Sequence, residues 1–184
     1  MPFVETGFAG LKVFEPKVFA DSRGYFFESF NEKTFTDAGI KAHFVQDNES
    51  KSTRGVLRGL HFQLNPNAQA KLVRVVEGEV LDVVVDIRKG STTFGKYFSI
   101  LLSAENKKQL FIPRGFAHGF SVLSNACIFQ YKCDNYYSKE AEGGIIYNDA
   151  DLNIDWKLST DEVLVSDKDK QLPLFKNHIS NFQF

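Results

Sequence analysis

Two short strings in the chain carry side chains able to do chemistry near neutral pH: Arg58-Gly59-Leu60-His61-Phe62-Gln63 and Phe111-Ile112-Pro113-Arg114-Gly115-Phe116-Ala117-His118-Gly119-Phe120. Each histidine sits in an apolar, strand-like background. An imidazole in that setting serves as a general acid or base, as a metal ligand, or as a hydrogen-bonded core residue. The metal reading joins His61 and His118 with a carboxylate such as Glu79 or Asp82. The acid–base reading rests on a neutral imidazole near pH 7 that can take up and return a proton. The residues taken alone leave these alternatives open.

Strands have to position these groups. Phenylalanine occurs 19 times, and β-branched and aromatic residues recur in short blocks bounded by Gly, Asn, Asp or Pro, so the chain reads as mostly β. The pattern predicts strands over 11–19, 24–31, 71–77, 79–87, 97–103, 108–112, 118–122 and 127–133. It predicts one helix over 31–38, with Asn31 as N-cap and Gly39 as the left-handed stop. The polar stretch 159–170 reads as a turn or short helix packed back on the strands. Sandwich, barrel and jelly roll all fit this pattern. Within 79–87, Asp82, Val84 and Asp86 share one face, and Leu81, Val83, Val85 and Ile87 the other. That face suits either a polar lumen or solvent.

A chain of 184 residues is long enough to bury a core as one domain, 1–184. A formal net charge of −1 gives no basic field for nucleic acid and no polybasic stretch for a membrane surface. There is no leader-like N-terminus and no apolar run of about 18 residues, so a soluble, unexported, cytoplasmic protein is expected. Cys127 and Cys133 in an extended run lie roughly 20 Å apart, too far for a disulfide, and are expected to be reduced thiols.

The two histidine strings resemble the two motifs of the cupin superfamily. In metal cupins the first motif carries His-x-His and a following Glu. Here the second His is Gln63, no Glu follows at the expected spacing, and Lys71 stands in that stretch. Further strings narrow the resemblance: Ser22-Arg23-Gly24-Tyr25-Phe26-Phe27-Glu28, Gln46-Asp47-Asn48, Gln69-Ala70-Lys71-Leu72-Val73-Arg74, Tyr131-Lys132-Cys133-Asp134-Asn135-Tyr136-Tyr137, Glu142-Gly143-Gly144 and Ser166-Asp167-Lys168-Asp169. In this order they resemble the dTDP-4-dehydrorhamnose 3,5-epimerase family, over about 14–169.

That resemblance implies an all-β, cupin-type double-sheet jelly roll with short peripheral helices. It implies a cofactor-independent isomerase that needs no metal and converts dTDP-4-dehydro-6-deoxy-D-glucose to dTDP-4-dehydro-β-L-rhamnose. His61 is then the base, Asp169 its orienting carboxylate, Lys71 the cation at the developing enolate and Tyr131 the acid. Arg23, Arg58 and Lys168 are the implied cations for the nucleotide end. Tyr137 would stack on thymine, and Glu28, Gln46, Asp47, Asn48, His118 and Glu142 complete the substrate-binding set. Family members exchange N-terminal segments between subunits, which implies a homodimer with Arg23 and Glu28 contributed across it. Three alternatives stand beside this reading: a 3- or 5-epimerase of another deoxysugar pathway, a metal-dependent cupin, and a non-catalytic sugar-nucleotide binder. Arg54, Arg74 and Arg114 read as structural or solvent-facing, and His43 and His178 as surface residues.

Overall fold

The computed structural model describes residues 2–184. Two antiparallel sheets form the body of the molecule. One has six strands: β1 (Phe3–Glu5), β2 (Lys12–Phe14), β10 (Gln109–Ile112), β7 (Lys71–Glu77), β12 (Ala126–Cys133) and β5 (Gln46–Thr53), in that spatial order. The other has five: β13 (Glu142–Gly144), β6 (Leu57–Gln63), β11 (Phe116–Val122), β8 (Glu79–Asp86) and β9 (Tyr97–Ser103). A separate hairpin pairs β3 (Phe19–Asp21) with β4 (Gly24–Phe26). The architecture is the expected double-sheet jelly roll.

Strand alternation sends half of each strand between the sheets. Val73 and Val75 of β7, Val80 and Val84 of β8, Phe116, Phe120 and Val122 of β11, and Cys127 and Phe129 of β12 form one buried cluster there. The opposite residues of the five-stranded sheet are also covered. Leu60, Phe62, Leu81, Val83, Val85, Ile87 and Ala117 pack with Ile145, Leu152, Trp156 and Phe182 of the C-terminal segment. Both faces of β8 are therefore buried, and its charged face does not meet solvent. Asp82 and Asp86 are each 0% exposed. Asp86 is held by Arg88, Ser91 and Thr93 at 2.6–2.8 Å.

Several elements depart from the expected bounds. The strand expected over 11–19 breaks after Phe14, and the one over 24–31 stops at Phe26. β5 lies outside every predicted strand, and β6 is strand-like around His61 without predicted bounds. β5, Gln-Asp-Asn-Glu-Ser-Lys-Ser-Thr, has no apolar face because it edges its sheet with one side toward a polar cavity. β6 hides its alternation at Gly59, where the register against β11 shifts. A Cβ on Gly59 would stand 2.5 Å from the Cα of Gly119, and the backbone φ there is +123°, so the close approach of these strands requires glycine.

The helix α1 (Glu32–Asp37) forms as expected. The Asn31 side chain accepts from Thr34 N–H at 3.2 Å, and Gly39 takes φ +81°. Phe35 anchors the helix against Phe14, Ile40, Leu72 and Phe111 on the outer face of the six-stranded sheet. In the C-terminal stretch a 3-10 turn, Asp169–Gln171, packs back on the body, and Val56 bridges to Leu164. Cys127 and Cys133 are both buried free thiols, and burial pushes Cys127 up to about 11. Among the described residues no helix is long and apolar enough to cross a membrane.

Candidate active site

The two sheets splay around a cavity of about 600 Å³ whose walls include Arg58, His61 and His118 from the five-stranded sheet, Lys71 and Tyr131 from the six-stranded sheet, and Asp169 from the C-terminal segment. A second lobe of about 400 Å³ shares His61, Lys71 and Tyr131 and adds Gln46, Asn48, Gln63, Tyr137 and Glu142. Period-two geometry puts His61 and Gln63 on the face of β6 opposite the buried Leu60 and Phe62, the register shift at Gly59 lets Arg58 join them at the cavity wall, and Tyr131 follows Phe129 on the inner face of β12.

His61 lies 2.8 Å through Nε2 from Asp169 Oδ1. Asp169 is 4% exposed, and Gly59 N–H donates to its other oxygen at 3.2 Å while its own N–H donates to Ser166 Oγ at 3.1 Å. Burial alone would raise this carboxyl. The hydrogen bond and charge of His61, with the Gly59 and Ser166 contacts, outweigh it and hold Asp169 below the ordinary carboxylate range. An ionised carboxylate only accepts, so His61 donates from Nε2 and keeps its lone pair on Nδ1.

His118 pairs directly with His61 across β11 and β6, and its Nε2 lies 2.9 Å from Asp82 Oδ2. The two imidazoles that a metal centre would use are thus each tied to a different carboxylate. Among the described residues no group of three or more His, Cys, Asp or Glu is arranged to hold a metal ion.

On the facing sheet, Lys71 Nζ lies 5.7 Å from the Tyr131 ring centroid. Burial lowers the Lys71 pKa, against the opposing pull of Cys133 and Asp82, which makes its ammonium a stronger hydrogen-bond donor. Burial raises the Tyr131 phenol, Cys133 adds to this and Arg58 opposes it, so the phenol keeps its proton at neutral pH. Arg58 reaches Ser52 Oγ at 3.2 Å and pairs with no carboxylate among the described residues, leaving its charge for an anion. Gln46 Nε2 donates to Asn48 Oδ1 at 3.0 Å, and Asn48 Nδ2 approaches Cys133 Sγ at 3.8 Å.

At the rim, Glu142 accepts from Lys168 Nζ at 2.6 Å and from Tyr137 OH at 3.1 Å. Three expected residues stand elsewhere. Asp47 points to the opposite face of β5 from Gln46 and Asn48, as alternation demands, and pairs with Lys132 at 2.9 Å. Arg23 is 88% exposed on the β3–β4 hairpin and pairs only with Asp21, among the described residues. Glu28 is exposed beyond the same hairpin and lines neither lobe of the cavity. His178, read as a surface residue, is partly buried and stacks on Phe175 at 4.9 Å. Asp82 behind His118, and Gln63, carry no signal in their own strings beyond an i, i+2 relation that places Gln63 on the face of His61.

Comparison with known proteins bears on this geometry. The family model described as dTDP-4-dehydrorhamnose 3,5-epimerase matches residues 5–177. The chain is 59% identical over 170 residues to a dTDP-4-dehydrorhamnose 3,5-epimerase of Shigella flexneri, covering 92% of this chain and 93% of that one. The crystal structure of dTDP-4-dehydrorhamnose 3,5-epimerase from Elizabethkingia anophelis superposes with a TM-score of 0.92 at 55% identity, covering 95% of this chain and 96% of that one. The dTDP-6-deoxy-D-glucose-3,5-epimerase of Legionella pneumophila, solved with dTDP-4-keto-L-rhamnose, gives a TM-score of 0.91 at 50% identity, covering 95% and 93%.

Proposed function

The chain belongs to the dTDP-4-dehydrorhamnose 3,5-epimerase family, and we propose that it inverts C3 and C5 of dTDP-4-dehydro-6-deoxy-D-glucose through His61, Lys71 and Tyr131. The observation that carries the assignment of roles is the His61–Asp169 pair on one wall of a cavity whose other wall bears Lys71 and Tyr131. His61 Nδ1 takes the proton from the carbon beside the C4 ketone. The bonding pair moves into the enolate, and the negative charge on O4 is stabilised by the Lys71 ammonium. Tyr131 returns a proton to the opposite face, leaving a phenolate, while Asp169 stabilises the imidazolium. His61 loses its proton to solvent and Tyr131 regains one from it, and the cycle repeats at the second carbon.

Arg58 and Lys168 hold the diphosphate, Tyr137 stacks on thymine, and Gln46, Asn48, His118 and Glu142 bond the sugar and base. These assignments are supported by the cavity lining and by the unpaired charge of Arg58, and for Lys168, which lines neither lobe, by its contact with Glu142 at the rim.

The protein works as a homodimer in this reading. The β3–β4 hairpin stands away from the chain's own cavity with Phe19, Tyr25 and Phe26 exposed, which supports delivery of Arg23 and Glu28 to a second copy's site. The Asp47 side chain faces away from this cavity and pairs with Lys132 instead. Buried, unpaired thiols support a reducing, cytoplasmic setting.

Proton NMR of dTDP-4-dehydro-6-deoxy-D-glucose in D₂O with the enzyme tests the reaction. Exchange at both C3 and C5 with accumulation of the doubly inverted product is expected. Inversion at one carbon alone would assign the chain to a single-centre epimerisation instead.

A further inference from the structure

Gln63 stands two residues after His61, where a metal cupin would carry its second histidine, and it is 6% exposed. Its amide makes one donor and one acceptor bond in a way a histidine could not copy. Nε2 donates to the Ser138 carbonyl at 3.0 Å, and Oε1 accepts from Ser138 N–H at 2.8 Å. This is the donor–acceptor pair of a backbone ladder, made by a side chain across 75 residues of sequence. Ser138 directly follows Tyr137, whose own ring is exposed at the cavity rim and has one side-chain partner, Glu142, at 3.1 Å. The segment bearing Tyr137 is irregular: no strand or helix spans 134–138. An exposed aromatic on such a segment takes its direction from its own backbone and from the single bond to Glu142.

We propose that Gln63 is a positioning residue for the nucleotide end of the substrate, acting through the Ser138 backbone to set the Tyr137 ring at the mouth of the cavity. The inference rests on the reading of Tyr137 as the thymine-stacking surface. On this view the residue that separates β6 from a metal-binding motif has a task of its own: it fixes the loop that recognises the base. Gln63→His loses one of the two Ser138 bonds whichever tautomer it adopts, because the diverging ring nitrogens of an imidazole cannot present donor and acceptor side by side to the N–H and C=O of one residue as an amide does.

Two measurements separate the positioning claim from the stacking claim. The first is amide hydrogen exchange by NMR. Gln63→Ala should speed exchange at Ser138 N–H while Gly59 N–H, held by Asp169, stays protected; unchanged protection at Ser138 would overturn the proposal. The second is dTDP binding by calorimetry in a double-mutant cycle. Gln63→Ala should weaken dTDP about tenfold and raise KM with kcat nearly unchanged, yet weaken it no further in a Tyr137→Ala background. Equal losses in both backgrounds, or a fall in kcat without a change in KM, would overturn action through Tyr137. If Tyr137→Ala binds dTDP as wild type does, the stacking reading fails, and the Ser138 exchange result still decides the positioning role. Gln63→Met keeps the length of the side chain and loses both bonds, so it should behave as alanine does in both experiments and serves if the alanine variant does not fold.

Discussion

Tyr131 and His61 face one cavity from opposite sheets, and the roles proposed for them separate cleanly in mutants. Tyr131→Phe keeps the ring that packs beside Phe129 and removes the transferable proton. Deuterium should still wash into the substrate, while the doubly inverted product falls about a hundredfold or more. Wild-type product yield from Tyr131→Phe would assign the acid to another group. Asp169→Asn should cost less than His61→Ala, because it disturbs the orientation and charge of the base while leaving the base in place. The His61–Asp169 pair joins residues 108 apart in sequence. No spacing rule reveals such a pair, so Asp169 was legible only through the family resemblance. His61 and His118 were legible as chemistry-bearing residues from their strings alone. Gln63 was visible only as a missing ligand, since a hydrogen bond to a distant backbone leaves no local pattern.

At the level of the strands, β8 shows how burial on both faces defeats alternation as a guide. Leu81, Val83, Val85 and Ile87 share its apolar face, and its acidic face was open to two readings. The C-terminal segment covers the first face and the facing sheet covers the second. Asp86 consequently needs its partners. Burial works to raise its carboxyl, and the bonds from Arg88, Ser91 and Thr93 overcome this and hold it below the ordinary carboxylate range. A carboxylate with a depressed folded pKa contributes stability that is present above its unfolded value, and that contribution is lost as pH falls through the folded value. Urea unfolding should therefore show stability declining below about pH 4. Asp86→Ala, which strands a buried guanidinium, should cost about 3 to 5 kcal/mol at neutral pH and flatten that acid limb. An unchanged acid limb in the variant would remove Asp86 from the account. β5 teaches the converse lesson: a strand of polar residues was unreadable because what it faces is a binding cavity.

The whole molecule is expected to be two copies, each completing the other's cavity. Arg23→Ala and His61→Ala proteins, mixed and allowed to exchange subunits, test this. Half-mixed dimers would pair an intact His61 with the other copy's intact Arg23, so mixing should restore about a quarter of wild-type activity. No recovery after demonstrated exchange would place Arg23 with its own chain's site, or outside any site. The jelly roll itself was legible from short β blocks only together with the family motifs, and the hairpin's exposure could not be read from Phe19, Tyr25 and Phe26, whose types point to burial. The central claim is that one base serves both stereocentres. It is tested most directly by His61→Ala, confirmed as folded and able to bind dTDP, incubated with dTDP-4-dehydro-6-deoxy-D-glucose in D₂O while exchange at C3 and C5 is followed separately by proton NMR. The expected result is a loss of at least about a hundredfold at both carbons together; exchange persisting near the wild-type rate at either carbon would contradict it.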